Sequence, residues 1–249
     1  MLLGYGGLNL PYDVPANEFL NLEGFKLSTS RNWAVWLPEY LDAYEPDPLR
    51  YVLSVGMPET SDSDFSWREY IRRNNDELVA TYGNLAHRVL TFVYRNFNRK
   101  APEPGPLDDL SRELLAQAKR HLDEAAGHLE ACNFRLALGS AMGLAQAANR
   151  YLDQTAPWRA IRTDRDGAAT SLWVCMSVLS CLRTMFYPFL PFSSEKLHSM
   201  LGFDGSVQDA GWSWEPDSMS PGQGLPEPEP LFTKLDEAVV EEETQRIGN

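Results

Sequence analysis

The chain contains few cysteines and few histidines, and their spacing argues against several classes of site. Its 249 residues include three cysteines, none in a CxxC pair, and four histidines without the spacing of metal ligands. This pattern argues against a zinc knuckle and a disulfide scaffold, and it predicts a reducing, cytoplasmic environment. The N-terminal segment lacks a basic stretch followed by an apolar run, so it does not resemble a secretory signal.

Long apolar runs are also scarce. Residues 172–192 have the length of a membrane span, but they include Arg183, Pro188 and Pro191. Because a charged side chain inside a span is costly, we predict a buried helix of a soluble bundle and no membrane partner.

Basic residues are outnumbered, with 22 Lys and Arg against 35 Asp and Glu and a net charge of −13. Residues 201–249 hold eleven acids and two bases, so this tail carries −9 of that charge. Within residues 67–100 the sign reverses, because seven bases face three acids. One basic helix in an acidic protein can still bind a polyanion locally.

The apolar spacing predicts a mainly α fold, with short helix-to-helix connections that favour an antiparallel bundle. Residues 1–62 are predicted to be irregular, with a strand-like EFLNL and short helices at LPEYLDAY and LRYVLSVG. One long helix is predicted from Trp67 to a linker at 98–106, and further helices over about 107–130, 134–152 and 167–187. A short last helix is predicted over 193–201, with Ser193 or Ser194 as its N-cap. Residues 204–230 are predicted to extend over the surface. The residues predicted to face inward in the first two helices are Ile71, Leu78, Tyr82, Leu85, Val89, Phe92, Leu110, Leu114, Ala118, Leu122, Ala125 and Leu129.

A lysine and three hydroxyl groups occur together near the start of the chain. Lys26, Ser28, Thr29 and Ser30 supply one cation and three donors within five residues. Such groups suit phosphoryl or adenylyl transfer, because negative charge moves onto a leaving pyrophosphate. The same composition also fits an ordinary polar surface loop.

A second set of candidates lies on the basic helix and after the third helix. Asn84 and Arg88 share a face, with Arg95 one heptad further on, and an amide and a guanidinium can bind base edges. Trp158 follows Pro157 at a helix end, where its indole could stack on a base. Taken alone, these residues fit a solvated helix face and a core tryptophan at least as well.

The order of these segments resembles methionyl-tRNA synthetases. The resemblance covers nearly the whole chain, and its most specific parts are the helix from Asp64 to Phe92 and the APW tripeptide. The matching segments are KLSTSRN, DPLRYVL, DFSWREYIRRNNDELVATYGNLAHRVLTF, DQTAPWRA and PLFTKLD.

The resemblance implies a role for each candidate. Lys26, Ser28, Thr29 and Ser30 match the KMSKS loop, which closes over ATP, with Mg²⁺ expected and no metal site in this chain. Asn84 and Arg88 match helix residues that contact anticodon bases, Arg95 is expected on tRNA phosphate, and Trp158 matches the tryptophan that helps to recognise CAU in methionine tRNA. Residues 1–65 then correspond to a remnant of an α/β catalytic domain, and residues 66–249 to a helical anticodon-binding domain.

The chain departs from the family pattern in two ways. Thr29 stands where the loop has a second lysine, and no HIGH-type motif, methionine pocket or Rossmann strands are found in the sequence. We therefore expect the C-terminal part of a methionine–tRNA ligase, needing an N-terminal catalytic half in cis or trans. Two alternatives stay open: a freestanding tRNA-binding module, and a helical scaffold that binds no RNA.

Overall fold

A computed structural model describes residues 6 and 8–248 of the chain. Three short strands form one small sheet in the order β2-β1-β3, where β1 is Leu20–Leu22, β2 is Phe25–Lys26 and β3 is Ser63–Phe65. Strand β1 pairs antiparallel with β2 and parallel with β3. The strand predicted at EFLNL is therefore present, although it covers only the last three of those residues.

The rest of the described chain is mainly helical, as predicted, and the bounds of the two short N-terminal helices and the bundle helices follow the sequence expectation closely. The helices are α1 (Leu37–Ala43), α2 (Pro46–Val55), α3 (Trp67–Arg73), α4 (Asn84–Asn96), α5 (Asp109–Glu130), α6 (Phe134–Thr155), α7 (Pro157–Ala160), α8 (Arg165–Phe186), α9 (Pro191–Met200), α10 (Val207–Ala210) and α11 (Ala238–Arg246), with a π-helix at Asn74–Gly83 between α3 and α4.

The basic helix differs from the single regular helix that we predicted. Ser66 caps its start by accepting a hydrogen bond from the backbone N–H of Glu69. The wider π-helical turns then separate α3 from α4, and such turns shift the faces of a helix relative to one another. Asn74 and Asn75 lie in this segment, and their side chains hydrogen-bond to the backbone of residues 233–235. Tertiary contacts to the C-terminal segment thus accompany the irregular geometry.

Helices α5, α6 and α8 pack on one another and form the bundle. Asp108 and Asp164 cap the starts of α5 and α8 through backbone N–H groups three residues on. Leu110 was predicted to face inward but is 41% exposed, because the next residue, Ser111, takes the inward position in this first turn and hydrogen-bonds to the Tyr151 hydroxyl. The other inward positions of α5 from Leu114 to Ala125 are buried as predicted.

Helix α8 is the one described helix that is long and apolar enough to cross a membrane, and 94% of its most apolar window is buried within the protein. It therefore forms the centre of the bundle, as predicted, although it ends at Phe186 and so covers only the first part of residues 172–192. Arg183 is buried in it, donates to the Ser180 carbonyl and the His198 ring, and stacks over Phe203.

The predicted cap of the last bundle helix was wrong. Helix α9 begins at Pro191, whose fixed φ suits a first helical position. Ser193 and Ser194 lie inside the helix and are buried. Ser193 instead donates from its N–H and its Oγ to Asp47, which joins α9 to the start of α2.

Residues 204–230 were predicted to be extended over the surface, and this was only partly correct. They contain α10, and Trp214, Met219 and Leu225 are buried in the core. The Trp173 indole N–H donates to the Met219 carbonyl at 2.8 Å. These apolar side chains thus hold the segment against the core, although its Gly, Pro and acidic residues predicted an exposed, extended chain. The chain then returns to the N-terminal half, where α11 packs against α3.

Candidate nucleotide loop and nucleic-acid interface

The predicted phosphate loop begins directly after the β1–β2 hairpin. Glu23 and Gly24 form the hairpin turn with positive φ angles of 49° and 77°, and the Gly24 N–H donates to Asp64 on β3. Backbone hydrogen bonds join Ser28 and Trp33 in both directions, at 2.9 and 2.8 Å, and close a 3-10 turn at Thr29–Arg31. The local fold therefore holds residues 26–30 together at one end of the sheet.

The polar groups of this loop are accessible. The Lys26 side chain is exposed, and its Nζ lies 5.7 Å from the centroid of the Phe19 ring. The hydroxyl groups of Ser28 and Ser30 are 3.3 Å apart, and Thr29 is exposed. One exposed ammonium, two exposed hydroxyl groups and the half-buried hydroxyl group of Ser28 can contact the phosphates of a nucleotide.

The C-terminus braces the same loop, which the sequence analysis did not predict. The Gly248 N–H donates to the Asn32 carbonyl at 2.9 Å, and Gly248 approaches the Trp33 ring. Glu243 on α11 accepts hydrogen bonds from Tyr44 and Arg246. No local pattern in the sequence indicates a contact across more than two hundred residues.

The second set of candidates lies on α4. Asn84 starts this helix, Arg88 follows one turn later, and Arg95 lies two turns further on. Asn84 and Arg95 are exposed, whereas the Arg88 side chain is 33% exposed. The structure therefore places an amide and two guanidinium groups on an accessible helix.

Trp158 lies directly beside this helix. Helix α6 ends where Ala156 adopts a left-handed conformation with φ 38°, and Pro157 starts the short helix α7 that carries the indole. The Arg88 guanidinium carbon lies 4.5 Å from the centroid of the Trp158 ring, which is a cation–π contact. Arg88 and Trp158, seventy residues apart in sequence, thus form one cluster.

Asp153 completes this cluster and was missed in the sequence analysis. The Arg88 Nη2 donates to its Oδ1 at 3.2 Å, and the Asp153 side chain is 66% exposed. The ion pair and the indole together restrict the Arg88 guanidinium. No spacing in the sequence indicated this contact, because Arg88 and Asp153 lie 65 residues apart.

The net positive charge of residues 67–100 lies in the second half of that segment. Arg72 and Arg73 are paired with Glu69 and Glu77 at 2.7–3.3 Å. The hydrogen bond from Arg72 lowers the pKa of the Glu69 carboxyl. The acids of α3 and the π-helix therefore neutralise the first bases, and the excess lies further along, towards Arg88 and Arg95.

The two candidate sites are separate in the described part of the chain. No hydrogen bond, ion pair or ring contact joins residues 26–30 to Arg88 or Trp158 there. Among the same residues, no group of three or more His, Cys, Asp or Glu side chains could hold a metal ion.

Comparisons with known proteins match both halves of the chain. A family model described as tRNA synthetases class I (M) matches residues 1–90, and one described as the anticodon binding domain of methionyl tRNA ligase matches residues 101–249. The methionine–tRNA ligase of Dehalococcoides mccartyi strain ATCC BAA-2266 is 56% identical over 248 residues, which is 100% of this chain and 44% of that protein. The one from Roseiflexus castenholzii is 45% identical and covers 99% of this chain and 46% of its own length.

The fold is similar to that of a solved relative as well. Mycobacterium tuberculosis methionyl-tRNA synthetase bound by methionyl-adenylate superposes with a TM-score of 0.83 and 28% identity, over 93% of this chain and 46% of that one. The chain spans about half the length of the curated relatives that it matches.

Proposed function

Because the chain belongs to the methionyl-tRNA synthetase family, we propose that it is the anticodon-reading part of a methionine–tRNA ligase. The complete enzyme would use ATP, with Mg²⁺, to activate methionine in the cytoplasm and attach it to methionine tRNA. We assign residues 1–65 to the end of the catalytic domain and residues 66–249 to the anticodon-binding domain.

The observation that carries this proposal is the pairing of Arg88 with Trp158 beside Asn84. A cation stacked on an indole leaves the ring and the guanidinium edge close together at an accessible surface. Unstacked anticodon bases can stack on such a ring and hydrogen-bond to such donors. A scaffold that binds no RNA would not require these groups to meet, and their clustering therefore favours RNA recognition.

The roles of the N-terminal groups follow from the same family. We propose that Lys26 and the hydroxyl groups of Ser28, Thr29 and Ser30 contact the triphosphate of ATP as pyrophosphate leaves. An N-terminal catalytic half would supply the methionine and adenine pockets. Two features support a contact between this chain and an N-terminal catalytic half. One is an apolar cleft of about 150 Å³ between the sheet and α2. The other is a set of exposed apolar side chains around the sheet, which includes Phe19, Phe25, Leu27 and Leu37.

We expect the chain to bind a stem-loop carrying the anticodon CAU more tightly than one with a scrambled loop. Specific base contacts each contribute about 1–3 kcal/mol of discrimination, whereas phosphate contacts contribute equally to both RNAs. Titration of both stem-loops at the same salt concentration measures the difference. Equal affinity for the two loops would contradict the anticodon assignment, and no binding of either would favour the scaffold alternative.

We also expect no methionine-dependent ATP–pyrophosphate exchange from the chain by itself. One exposed loop does not form an enclosed pocket for methionine and adenine. Exchange should be at background alone and should appear when the N-terminal half is added in trans or fused in frame. Exchange clearly above background from the chain alone would contradict the proposed need for that half.

A further inference from the structure

Positive charge collects at the end of α4, beyond Arg88 and Trp158. The Arg165 guanidinium donates to the Asn96 carbonyl at 2.6 Å, so the connection from α7 to α8 lies beside this end. Residues 84–100 and 157–165 together hold seven bases and one acid, whereas the whole chain has a net charge of −13. The bases are Arg88, Arg95, Arg99, Lys100, Arg159, Arg162 and Arg165.

Six of these bases lack a carboxylate partner. Arg88 is paired with Asp153, but the other six are exposed, and none of them forms an ion pair with a described residue. The one acid of the two segments, Asp164, instead caps α8. Glu103 and Asp166, which flank the two segments in sequence, do not pair with these bases either. Because like charges on one surface repel one another, this surface is suited to a polyanion.

Two of the arginines lie on aromatic rings at this end, and we call Arg99 and Arg165 the far basic patch. The Arg99 guanidinium carbon lies 5.2 Å from the centroid of the Tyr94 ring. The Arg165 guanidinium carbon lies 4.7 Å from the centroid of the Phe97 ring. Such cation–π contacts engage the face of a guanidinium and leave the N–H groups at its edge available. Arg165 uses one of these donors at Asn96, and the Arg99 guanidinium has no hydrogen-bond partner among the described residues.

The turn that carries Arg99 is held in place by the C-terminal part of the chain. Asn98 and Arg99 both have left-handed backbone conformations, with φ 53° and 59°. The Arg99 carbonyl accepts from the N–H of Leu225, a buried residue, at 2.8 Å. The Ala101 N–H donates to the Gln223 carbonyl, also at 2.8 Å. A side chain carried by fixed backbone loses less conformational entropy when it binds a ligand, so Arg99 is well placed for a partner.

The position of the far basic patch indicates which part of an RNA it meets. The helical run starts at Trp67, directly after β3, so the sheet and the ATP loop lie towards its beginning. Asn96 is about 12 Å beyond Arg88 along α4, in the direction away from the sheet. A tRNA whose acceptor end reaches the ATP loop extends from Arg88 towards the sheet. The phosphates at the far end then belong to the anticodon loop and not to its stem.

We propose that Arg99 and Arg165 bind phosphates of the anticodon loop, an inference that rests on the proposed function. Their guanidinium edges donate to phosphate oxygens, while Arg88 and Trp158 contact the bases. A phosphate contact positions the RNA but carries no sequence information. The far basic patch therefore contributes affinity and fixes the position of the loop, whereas the cluster at Trp158 contributes specificity.

The first test is the salt dependence of RNA binding by the full chain. The affinity of the CAU stem-loop is measured across salt concentrations for the unsubstituted chain and for the double variant Arg99→Gln, Arg165→Gln, which removes both charges. We expect the slope of log Kobs against the logarithm of salt concentration to become shallower by about 0.7 for each arginine, as for phosphate contacts to a single strand. An unchanged slope in a folded double variant would overturn the proposal and leave the patch to a partner other than RNA.

A second test separates loop phosphates from stem phosphates. Stem-loops are prepared with uncharged methylphosphonate linkages either in the loop or in the stem. With uncharged loop linkages, the double variant and the unsubstituted chain should have the same slope, because the two arginines have lost their partners. With uncharged stem linkages, the difference between the two proteins should remain. A difference that disappears only with the stem linkages would overturn the assignment to the loop.

Arg135→Gln is the matched control, because Arg135 is an exposed arginine at the start of α6, about 30 Å along that helix from its end at Thr155. This substitution should leave the slope unaltered. The melting temperature shows whether each variant is folded. If the double variant does not fold, Arg99→Gln and Arg165→Gln are measured singly, with half of the change in slope expected from each.

The salt slope also separates this inference from the proposed function. The preference of the unsubstituted chain for CAU over a scrambled loop tests anticodon reading, whereas the effect of the two arginines should be the same with either loop. If the chain showed no preference but the arginines still changed the slope, anticodon reading would be wrong and the loop-phosphate contact would stand. A clear preference with an unchanged slope would refute the far basic patch alone.

Discussion

Replacing Lys26 with alanine is expected to lower the turnover of methionyl-adenylate formation by about 10²–10³-fold, the usual loss when one group that stabilises developing charge is removed. The reaction is measured with the chain joined to an N-terminal catalytic half, as methionine-dependent ATP–pyrophosphate exchange. Lys26 is exposed at the start of the loop and is the only lysine of residues 26–30, because Thr29 stands where the family pattern has another. Its ammonium is therefore the lysine charge of this loop that we propose stabilises the leaving pyrophosphate.

The same experiment separates turnover from binding. The KM for methionine should change little, because the charge is needed chiefly as pyrophosphate develops. Lys234→Ala is a matched control, since Lys234 is also an exposed lysine but lies outside the loop, and it should leave turnover unaltered. Turnover that is unchanged in Lys26→Ala would remove the loop lysine from the mechanism.

Replacing Trp158 with alanine is expected to weaken binding of the CAU stem-loop by about 1–3 kcal/mol, or roughly 5- to 150-fold. The substitution would remove the proposed stacking of the indole on a base. It would also remove the ring whose centroid lies 4.5 Å from the Arg88 guanidinium carbon. Trp158 also packs partly against the core, so some loss of stability is expected too. Affinity is therefore measured per folded molecule, with the melting temperature recorded for each variant.

Arg95→Ala is the matched control for this site, because Arg95 is exposed on α4 beyond the Arg88–Trp158 cluster. As a phosphate contact it should weaken CAU and scrambled stem-loops alike and lower the salt dependence by about one unit of slope. If Trp158→Ala lowered the melting temperature but left RNA affinity unchanged, the tryptophan would be a core residue only. The proposed stacking role would then be wrong.

The sequence alone determined the helical segments that have a strong local period. The bundle helices α5, α6 and α8 begin and end within about three residues of their predicted bounds, because apolar spacing and flanking Asp, Gly and Pro residues act locally. The family was also recognisable from the sequence, since the order of KLSTSRN, the helix with Asn84 and Arg88, and APW extends over nearly the whole chain. The burial of the most apolar helix followed from Arg183 and the prolines near its end.

Only the tertiary structure decided how distant segments meet. Asn74 and Asn75 engage the backbone of residues 233–235 within a π-helix, and a 3.6-residue period cannot indicate such contacts. The residues around Ser193 predict a helix cap, but its hydroxyl instead donates to the Asp47 carboxylate, 146 residues away. Trp214 and Met219 are buried in the core, although the Gly, Pro and acidic residues around them predicted a solvent-exposed segment.

The candidate site divides in the same way. Asn84, Arg88 and Trp158 could be selected by residue type and order, because an amide, a guanidinium and an indole suit bases wherever they occur. The contact between Arg88 and Trp158 could not be predicted from the sequence, because it depends on α6 and α7 packing beside α4. Asp153 and the brace from Gly248 to the loop were missed for the same physical reason. A contact between residues far apart in sequence leaves no periodic signal in either segment, and it forms only when the whole chain has folded.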